Sequence, residues 1–494
     1  MIRKILIANR GEIALRIIRT AKKMGIKTVS VFSEADRYAL HTLAADEAIY
    51  IGEAASRDSY LKMDRILQAA IDTNSDAIHP GYGFLSENPA FAKLVESKSI
   101  KFIGPPASAM EKMGSKIGAK QTATKMNVPL VPGTDHAIQS LEEANLIATQ
   151  IGFPLLIKAS AGGGGKGMRI VHSLDELAQQ LKSAGNEAMA SFGDASVFIE
   201  KYISKPRHIE IQIFTDSFGN GIHLFERECS IQRRHQKIIE EAPSSCLSSE
   251  LREKMGQDAL KLALACGYVG AGTVEFLADE HLNYYFLEMN TRLQVEHTVT
   301  EMITGIDLVQ LQIEIADGKK LNLNQQDLKI NGHSIELRIC AEDPLNQFLP
   351  STGTLEIYRP PADQSIRLDD AYCEGMEIPI HYDPLIGKLI SHGTNRLEAI
   401  EKLKKAINQF QIKGIETTLD FGSYVLNHPE FIRGDFDTGF ILKNYEAYLA
   451  EHNDVAFEEA AALAALKIYM MQVSLPKMNS GLVTNWKSNR KTYN

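Results

Sequence analysis

Two strand-like runs that set one carboxylate against another constrain this chain most. Residues 272–277, Gly-Thr-Val-Glu-Phe-Leu, and residues 282–287, Leu-Asn-Tyr-Tyr-Phe-Leu, are separated by a polar stretch, so a hairpin is the simplest pairing. A turn centred between His281 and Leu282 puts Glu275 directly across from Glu288. Facing Cβ atoms would then lie roughly 4.5–5.5 Å apart, where like charges destabilise the pair. A bound divalent cation removes that conflict. Mg²⁺ or Mn²⁺ bridging phosphates to Glu275, Glu288 and Asn290 is the natural reading; the alternative is two solvated glutamates in another register. The residues that follow, Glu288-Met-Asn-Thr-Arg-Leu-Gln-Val-Glu-His297, extend the argument. If they stay extended, Glu288, Asn290, Arg292, Gln294 and Glu296 share one face. Oxygen donors beside a fixed cation suit hard metal ions and phosphates.

The chain has 494 residues, enough for roughly two to four domains. Hydrophobic residues make up 44% and charged residues 23%, the balance of a soluble globular protein. A formal net charge of −9 argues against a nucleic-acid partner. The cysteines, Cys229, Cys246, Cys266, Cys340 and Cys373, are scattered, odd in number and without a CxxC pair, so neither a disulfide framework nor a zinc site is indicated. No apolar run approaches the ~20 residues needed to span a bilayer. A strand begins almost at Met1 with no leader before it, so the cytoplasm is expected, and the mitochondrial matrix only if a leader has been removed.

Residues 4–8 read as a buried strand, 13–24 as a helix stopped by Gly25, and 28–32 as the next strand. This βαβ opening predicts a Rossmann-like parallel sheet with covering helices. The GxGxxG fingerprint is absent, which excludes an NAD or FAD reading. Near residue 131 the texture turns to mixed α+β. Residues 154–171 read as strand, glycine loop, strand; 197–203 and 208–214 are further strands, the latter with His208, Glu210 and Gln212 on one face and three isoleucines on the other. Helices are expected at 250–266, 299–316, 398–410 and 456–471, and strands at 333–340, 354–358 and 389–391.

Four successive glycines in 157–168, Ile-Lys-Ala-Ser-Ala-Gly-Gly-Gly-Gly-Lys-Gly-Met, let the backbone fold closely over an anion. The P-loop pattern fails because Gly167 follows Lys166. Strands on both sides make it a hairpin, comparable to the glycine-rich loop over ATP in kinases, with Lys158 able to reach a phosphate. Glu200, Lys201, Tyr202 and Ile203 end a strand and could offer backbone groups to an adenine, although an ordinary strand is the simpler reading. The charge run 226–241 gathers Gln232, Arg233, Arg234, His235 and Lys237, which suits an anion pocket; such runs are otherwise solvated faces. The loop 79–88 carries Tyr82 between two glycines, and Arg338 shares a strand face with Glu336 and Ser334. Together these features point to an ATP- and Mg²⁺-dependent ligase or kinase with an unknown acceptor.

Several long motifs in order make the chain resemble biotin carboxylase, an ATP-grasp enzyme, and more narrowly the biotin carboxylase part of an acyl-CoA carboxylase α-subunit. They are residues 7–13, 79–88, the glycine hairpin, 233–237, 288–297, Arg338 with 341–343, and 382–388, within a match from residue 4 to about 445. The resemblance implies that bicarbonate attacks the γ-phosphate of ATP to give carboxyphosphate, whose CO₂ then carboxylates biotin. It implies that Lys116, Lys158, Gly164, Gly165, Glu200, Lys201, Tyr202, Ile203, His208, Gln232 and His235 bind ATP, and that Glu275, Glu288 and Asn290 hold the metals. It assigns bicarbonate to Lys237, Arg292 and Val295, the general base to Glu296, the biotin enolate to Arg338, and a place near biotin to Tyr82. Val295 lies off the polar face, so its contact has to come through its backbone and the extended chain has to bend after Asn290.

The implied organisation is an N-terminal domain at 1–114, an ATP-grasp domain at 115–330 with a mobile lid at about 132–203, a mixed α/β C-terminal domain at 331–446, and a linker toward a subunit-contact region at 447–494. Implied partners are a biotin carboxyl carrier and a carboxyltransferase subunit, in a homodimer or a larger carboxylase. The biotin-accepting Ala-Met-Lys-Met motif is missing, and Lys477-Met478 lacks the preceding Met, so biotin is expected on another chain or domain. Two other readings are a ligase that makes carbamoyl phosphate, which Tyr82 and Arg338 in their motifs disfavour, and a non-catalytic ATP-binding scaffold, which Lys237, Arg292, Glu296 and Arg338 disfavour.

Overall fold

The computed structural model describes residues 1–134, 136–159, 168–234, 236–452 and 456–474. Residues 1–440 form one compact unit and 441–494 a second.

The first unit opens on a five-stranded parallel sheet. Its strands are β1 (Lys4–Ile7), β2 (Lys27–Ser33), β3 (Glu47–Gly52), β4 (Ala77–His79) and β5 (Lys101–Phe102), in the order β3-β2-β1-β4-β5. Helix α1 (Gly11–Lys23) makes the expected crossover from β1 to β2. Ile13, Ala14, Ile17, Ile18 and Ala21 bury one stripe of it, the spacing a 3.6-residue period requires.

A small antiparallel sheet follows, with β6 (Leu155–Ala159) between β7 (Arg169–Val171) and β8 (Val197–Lys201). It has its own core of Leu155, Ile157, Val171, Leu177, Val197 and Ile199. The glycines that join β6 to β7 lie outside the described residues.

The largest sheet carries the chemistry. Strands β9 (Arg207–Thr215), β10 (Gly221–Arg233), β11 (Gln236–Ala242), β12 (Gly270–Ala278), β13 (Tyr284–Asn290) and β14 (His333–Cys340) join the strands Leu385–Gly393 and Arg367–Asp370. The order is β13-β12-β9-β10-β11-β14 followed by those two, antiparallel at every pairing. On β9 the alternation is as expected: Ile209, Ile211 and Ile213 enter a core with Phe276, Tyr284, Phe286 and Met289.

One alternative falls and one expectation is corrected. The charge run 226–241 is not a solvated face. It forms β10 and β11, and Glu226, Arg227, Glu228, Glu240 and Glu241 are all buried. The helix expected over 299–316 is two helices, His297–Thr304 and Leu308–Ala316; Gly305 in the left-handed region (φ +73°) ends the first and the Asp307 side chain caps the second.

The β12–β13 hairpin pairs Glu275 with Glu288, as the sequence implies, by a route the sequence does not show. Phe276 faces Phe286, and the register shifts by one residue before Glu275 reaches Glu288. The extra residue, Leu287, is a bulge. It reverses the alternation, so Met289 joins Tyr284 and Phe286 in the core while Glu288 and Asn290 turn the other way.

The second unit includes helices Glu446–His452 and Ala456–Ser474, the latter exposing Leu463, Leu466, Ile468, Tyr469 and Met470. No helix among the described residues is long and apolar enough to cross a membrane.

Phe276 is fully buried and meets Tyr284 and Phe286 edge-on, at 5.5 and 6.4 Å between ring centroids. Phe276→Ala is expected to cost about 3–5 kcal/mol in urea unfolding, because the cavity lies under the bulge that sets the carboxylate register. A loss below about 1 kcal/mol contradicts this packing.

Candidate active site

One cross-strand row crosses the large sheet. Glu288 on β13 faces Glu275 on β12, Glu275 faces Glu210 on β9, and Glu210 faces Arg227 on β10. Three adjacent carboxylates would repel one another strongly in a buried setting. Two cations hold them.

Arg227 is fully buried. Its Nε donates to Glu210 Oε1 (2.5 Å), Nη1 to Gln212 Oε1 (2.7 Å) and Thr300 Oγ1 (3.0 Å), and Nη2 to Thr273 Oγ1 (3.0 Å) and Gln294 Oε1 (2.9 Å). This accounts for every donor on the guanidinium, which is what permits such a burial.

Lys237 on β11 reaches over the row. Its Nζ donates to Glu210 Oε2 (2.5 Å), Glu275 Oε1 (3.0 Å) and Glu296 Oε1 (2.8 Å). Burial alone would lower the ammonium; the three carboxylates, Glu210 foremost, outweigh it and keep it well above the usual lysine range. In return, and again against burial, Lys237 and then His208 hold Glu275 well below the carboxylate range. Lys237, Arg338 and Arg227 do the same for Glu296.

Glu275 Oε1 also accepts from Asn290 Nδ2 (2.8 Å) and Gln294 Nε2 (2.9 Å), and its Oε2 lies 2.9 Å from His208 Nε2. Glu288 accepts no such hydrogen bond among the described residues and is exposed as a residue. Desolvation of its carboxyl foremost, then the Glu275 charge, push that carboxyl up, with His208 and Lys237 opposing. The pair therefore fits a hard divalent cation, with Glu288 as the open ligand and Asn290 supplying an amide oxygen. His208, Glu210 and Glu275 also bring ligand atoms within 4.8 Å of one another, but the Lys237 ammonium already occupies that side of the cluster.

After Asn290 the chain leaves the extended conformation, as expected, and its polar residues converge on the row. Arg292 Nη2 donates to Asn290 Oδ1 (3.1 Å), and its Nε to Glu87 Oε2 (2.8 Å). Glu87 also accepts from the Thr291 amide (2.8 Å) and hydroxyl (3.1 Å), so the 79–88 loop fastens this bend. Glu296 directly precedes the helix His297–Thr304, and its side chain makes no capping hydrogen bond. Arg338 on β14 donates through Nη2 to Glu296 Oε2 (2.9 Å) and through Nε to Glu240 Oε1 (2.6 Å). Burial pushes Glu240 up to about 8 and Glu336 up to about 7, with Arg338 opposing in both.

Gln232 sits opposite Lys237 across β10 and β11. Lys158 is 2.5 Å from Glu200 Oε2, and the same carboxylate takes Lys120 at its Oε1 (2.5 Å). Within 200–203 the Lys201 amide donates to Pro132 O, its Nζ to Gly152 O and Phe153 O, and the Tyr202 amide to Pro154 O. Ile203 follows β8 and is half-buried. Tyr82 lies between Gly81 (φ +64°) and Gly83 (φ +69°), against the α1 core, with its hydroxyl buried and without a hydrogen-bond partner among the described residues. A Cβ on Gly81 would come within 2.9 Å of Asn9 Nδ2, which donates to Pro80 O and Tyr82 O. Gly164, Gly165, His235 and the side chain of Lys116 lie outside the described residues.

Sequence reasoning missed Glu87, Arg227, Glu240 and Lys388. Arg227 and Glu240 lay inside the singled-out charge run, and Glu87 and Lys388 inside singled-out motifs. What was lacking was the pairing of distant strands.

Three family models cover nearly all of the first unit. Residues 1–110 match the biotin carboxylase N-terminal domain, 115–324 the carbamoyl-phosphate synthase L chain ATP-binding domain, and 336–443 the biotin carboxylase C-terminal domain. The chain is 52% identical to biotin carboxylase 1 of Bacillus subtilis, over 90% of this chain and 99% of that protein. It is 50% identical to the propionyl-CoA carboxylase alpha chain of Ruegeria pomeroyi, over 90% of this chain and 68% of that one. Among solved structures, the biotin carboxylase domain dimer of Hydrogenobacter thermophilus 2-oxoglutarate carboxylase, in complex with MgADP, ADP and bicarbonate, matches with a TM-score of 0.85 and 47% identity, over 90% of this chain and 98% of that one. The chain belongs to the biotin carboxylase family, and it is an ATP-grasp ligase.

Glu336 supplies a pH test. Its carboxyl is raised from 4.5 to about 7, so the folded protein keeps a proton that the unfolded chain has released. The stability this adds is full below about 4.5 and is lost as pH rises toward about 7. Glu336→Gln, always neutral, should flatten the fall in urea midpoint between about pH 5 and 8. An unchanged slope counts against a proton held at Glu336.

Proposed function

We propose that this chain carries out the first half-reaction of a biotin-dependent carboxylase, the ATP-dependent carboxylation of biotin with bicarbonate. The observation that carries the reading is the Lys237 ammonium held among Glu210, Glu275 and Glu296, with Arg338 on the far side of Glu296. A metal face, an anion-binding cation, a carboxylate base and a guanidinium for a second anion stand in one connected set.

Mg²⁺ or Mn²⁺ held by Glu275, Glu288 and Asn290 would neutralise the ATP phosphates, and Lys158 with Lys116, Gly164, Gly165, His208, Gln232, His235 and the 200–203 segment would bind the nucleotide. Phosphoryl transfer is mostly positioning and charge neutralisation, which these groups provide. Bicarbonate sits against Lys237, Arg292 and the Val295 backbone. Glu296 takes its proton. Without an anion present, Lys237 and Arg338 hold Glu296 too strongly for a good base. An anion that shares their hydrogen bonds frees the carboxylate and raises its basicity. Arg338 then faces the biotin enolate with a charge that persists at any working pH, and Tyr82 stands beside biotin. A lid over residues 132–203 would shield the labile mixed anhydride from water.

The domain limits given above, 1–114, 115–330, 331–446 and 447–494, are part of this proposal. So are a biotin carrier and a carboxyltransferase as partners, a homodimer or larger assembly, and a cytoplasmic site of action. Relatives that are carboxylase alpha chains support the partners.

The test is ADP release with bicarbonate, with and without free biotin. Biotin should stimulate it, and absence of stimulation sinks the reading. Arg338→Ala should lose biotin carboxylation by at least about 100-fold while slow bicarbonate-dependent ATP cleavage remains. Equal loss of both would remove Arg338 from the biotin step.

A further inference from the structure

Two sequence motifs find no use in the reaction as drawn: residues 7–13, with Glu12, and residues 382–388, with Lys388. The fold brings them together behind the bicarbonate bend. Lys388 lies on the strand Leu385–Gly393, directly opposite Arg338 on β14. Two cations facing each other across a sheet repel, so each needs its own partners. Arg338 has Glu240 and Glu296. Lys388 turns elsewhere: its side chain is fully buried, and its Nζ donates to Val295 O at 2.9 Å.

The Lys388 ammonium lies 3.3 Å from Glu12 Oε2 and 6.0 Å from the centroid of the Tyr82 ring. Glu12, in the first turn of α1, is itself buried, and among the described residues neither of its carboxylate oxygens has a hydrogen-bond partner. Asp369, which also faces Lys388 across the sheet, is taken by Arg367 at 2.7 Å. Val295 O stands outside the helix ladder, since the Val299 amide goes to Glu296 O. The Lys388 contact therefore fixes the peptide that joins Val295 to Glu296, one residue whose backbone is assigned to bicarbonate and one whose carboxylate is assigned as base. A buried ammonium kept only for packing would be replaced at less cost by an apolar chain.

We propose that Lys388, backed by Glu12, is a positioning residue for bicarbonate: its hydrogen bond to the Val295 carbonyl sets the Val295–Glu296 peptide and so the place of the Glu296 carboxylate. This rests on the functional reading above. It adds a dependence of the anion site on α1 and on the strand Leu385–Gly393, neither of which contributes a group to the reaction itself.

The experiment measures KM for bicarbonate, KM for ATP and kcat, with free biotin, for the full chain and for Lys388→Met and Glu12→Gln, with circular dichroism to confirm folding. Lys388→Met should raise the bicarbonate KM at least tenfold and lower kcat, with the ATP KM within twofold of the parent. Glu12→Gln, which keeps shape and removes the carboxyl behind Lys388, should raise the bicarbonate KM about threefold with the same ATP KM when assayed above about pH 7, where that carboxyl is ionised. If Lys388→Met does not fold, Glu12→Gln decides by the same split. A bicarbonate KM within twofold of the parent, or KM values for both substrates rising together, overturns the proposal. A parent chain that releases no ADP with bicarbonate overturns the functional reading instead.

Discussion

The site depends on one ammonium group among three carboxylates. Glu288, Glu275 and Glu210 occupy neighbouring strands in a single row, and β-sheet geometry gives them no way to separate. Arg227 compensates the row from one end, below the surface. Lys237 compensates it from above and connects it to Glu296. Breaking such a buried network by removing one partner leaves uncompensated charge, at a cost of about 3–5 kcal/mol. Stability and chemistry therefore rest on the same atoms, and the arrangement is poised for exchange. A metal at Glu288 and an anion at Lys237 would each take over part of what the protein now supplies to itself.

The same logic explains why the bend at residues 291–296 is tied down from several sides. Glu87 fastens Arg292 and Thr291 from the first sheet's loop, Arg227 takes Gln294, and Arg338 takes Glu296. Residues 291–296 form no regular strand. Without the hydrogen bonds of a ladder, their geometry has to come from side chains on other elements. Helix α1, the loop after β4 and strands β10 and β14 meet there, which explains why a site made mainly from one hairpin needs the whole unit around it.

Much of this was legible in the sequence because it is local. The βαβ opening, the alternation on β9 and the pairing of Glu275 with Glu288 each follow from a few adjacent residues. The bulge at Leu287 was not legible, since a run of Tyr, Phe and Leu gives no sign of where alternation reverses; the pairing came out right because the assumed turn position offset the missing bulge. The burial of Glu226, Arg227, Glu228, Glu240 and Glu241 ran against the ordinary behaviour of charged residues. It becomes intelligible only when β14, far along the chain, is set beside β11, and β12 beside β9 on the other flank. For the same reason Arg338 was assigned a role from its motif, while Lys388, facing it in register, was not.

The central claim is that Lys237 is both the counter-ion of the carboxylate row and the cation of the anion site. The most direct measurement follows label from [¹⁴C]bicarbonate onto free biotin in the parent chain and in Lys237→Gln, with MgATP affinity measured alongside. The account predicts ATP-dependent labelling by the parent, and labelling lowered at least about 100-fold in the variant while MgATP still binds. Labelling at the parent's level in Lys237→Gln would contradict it.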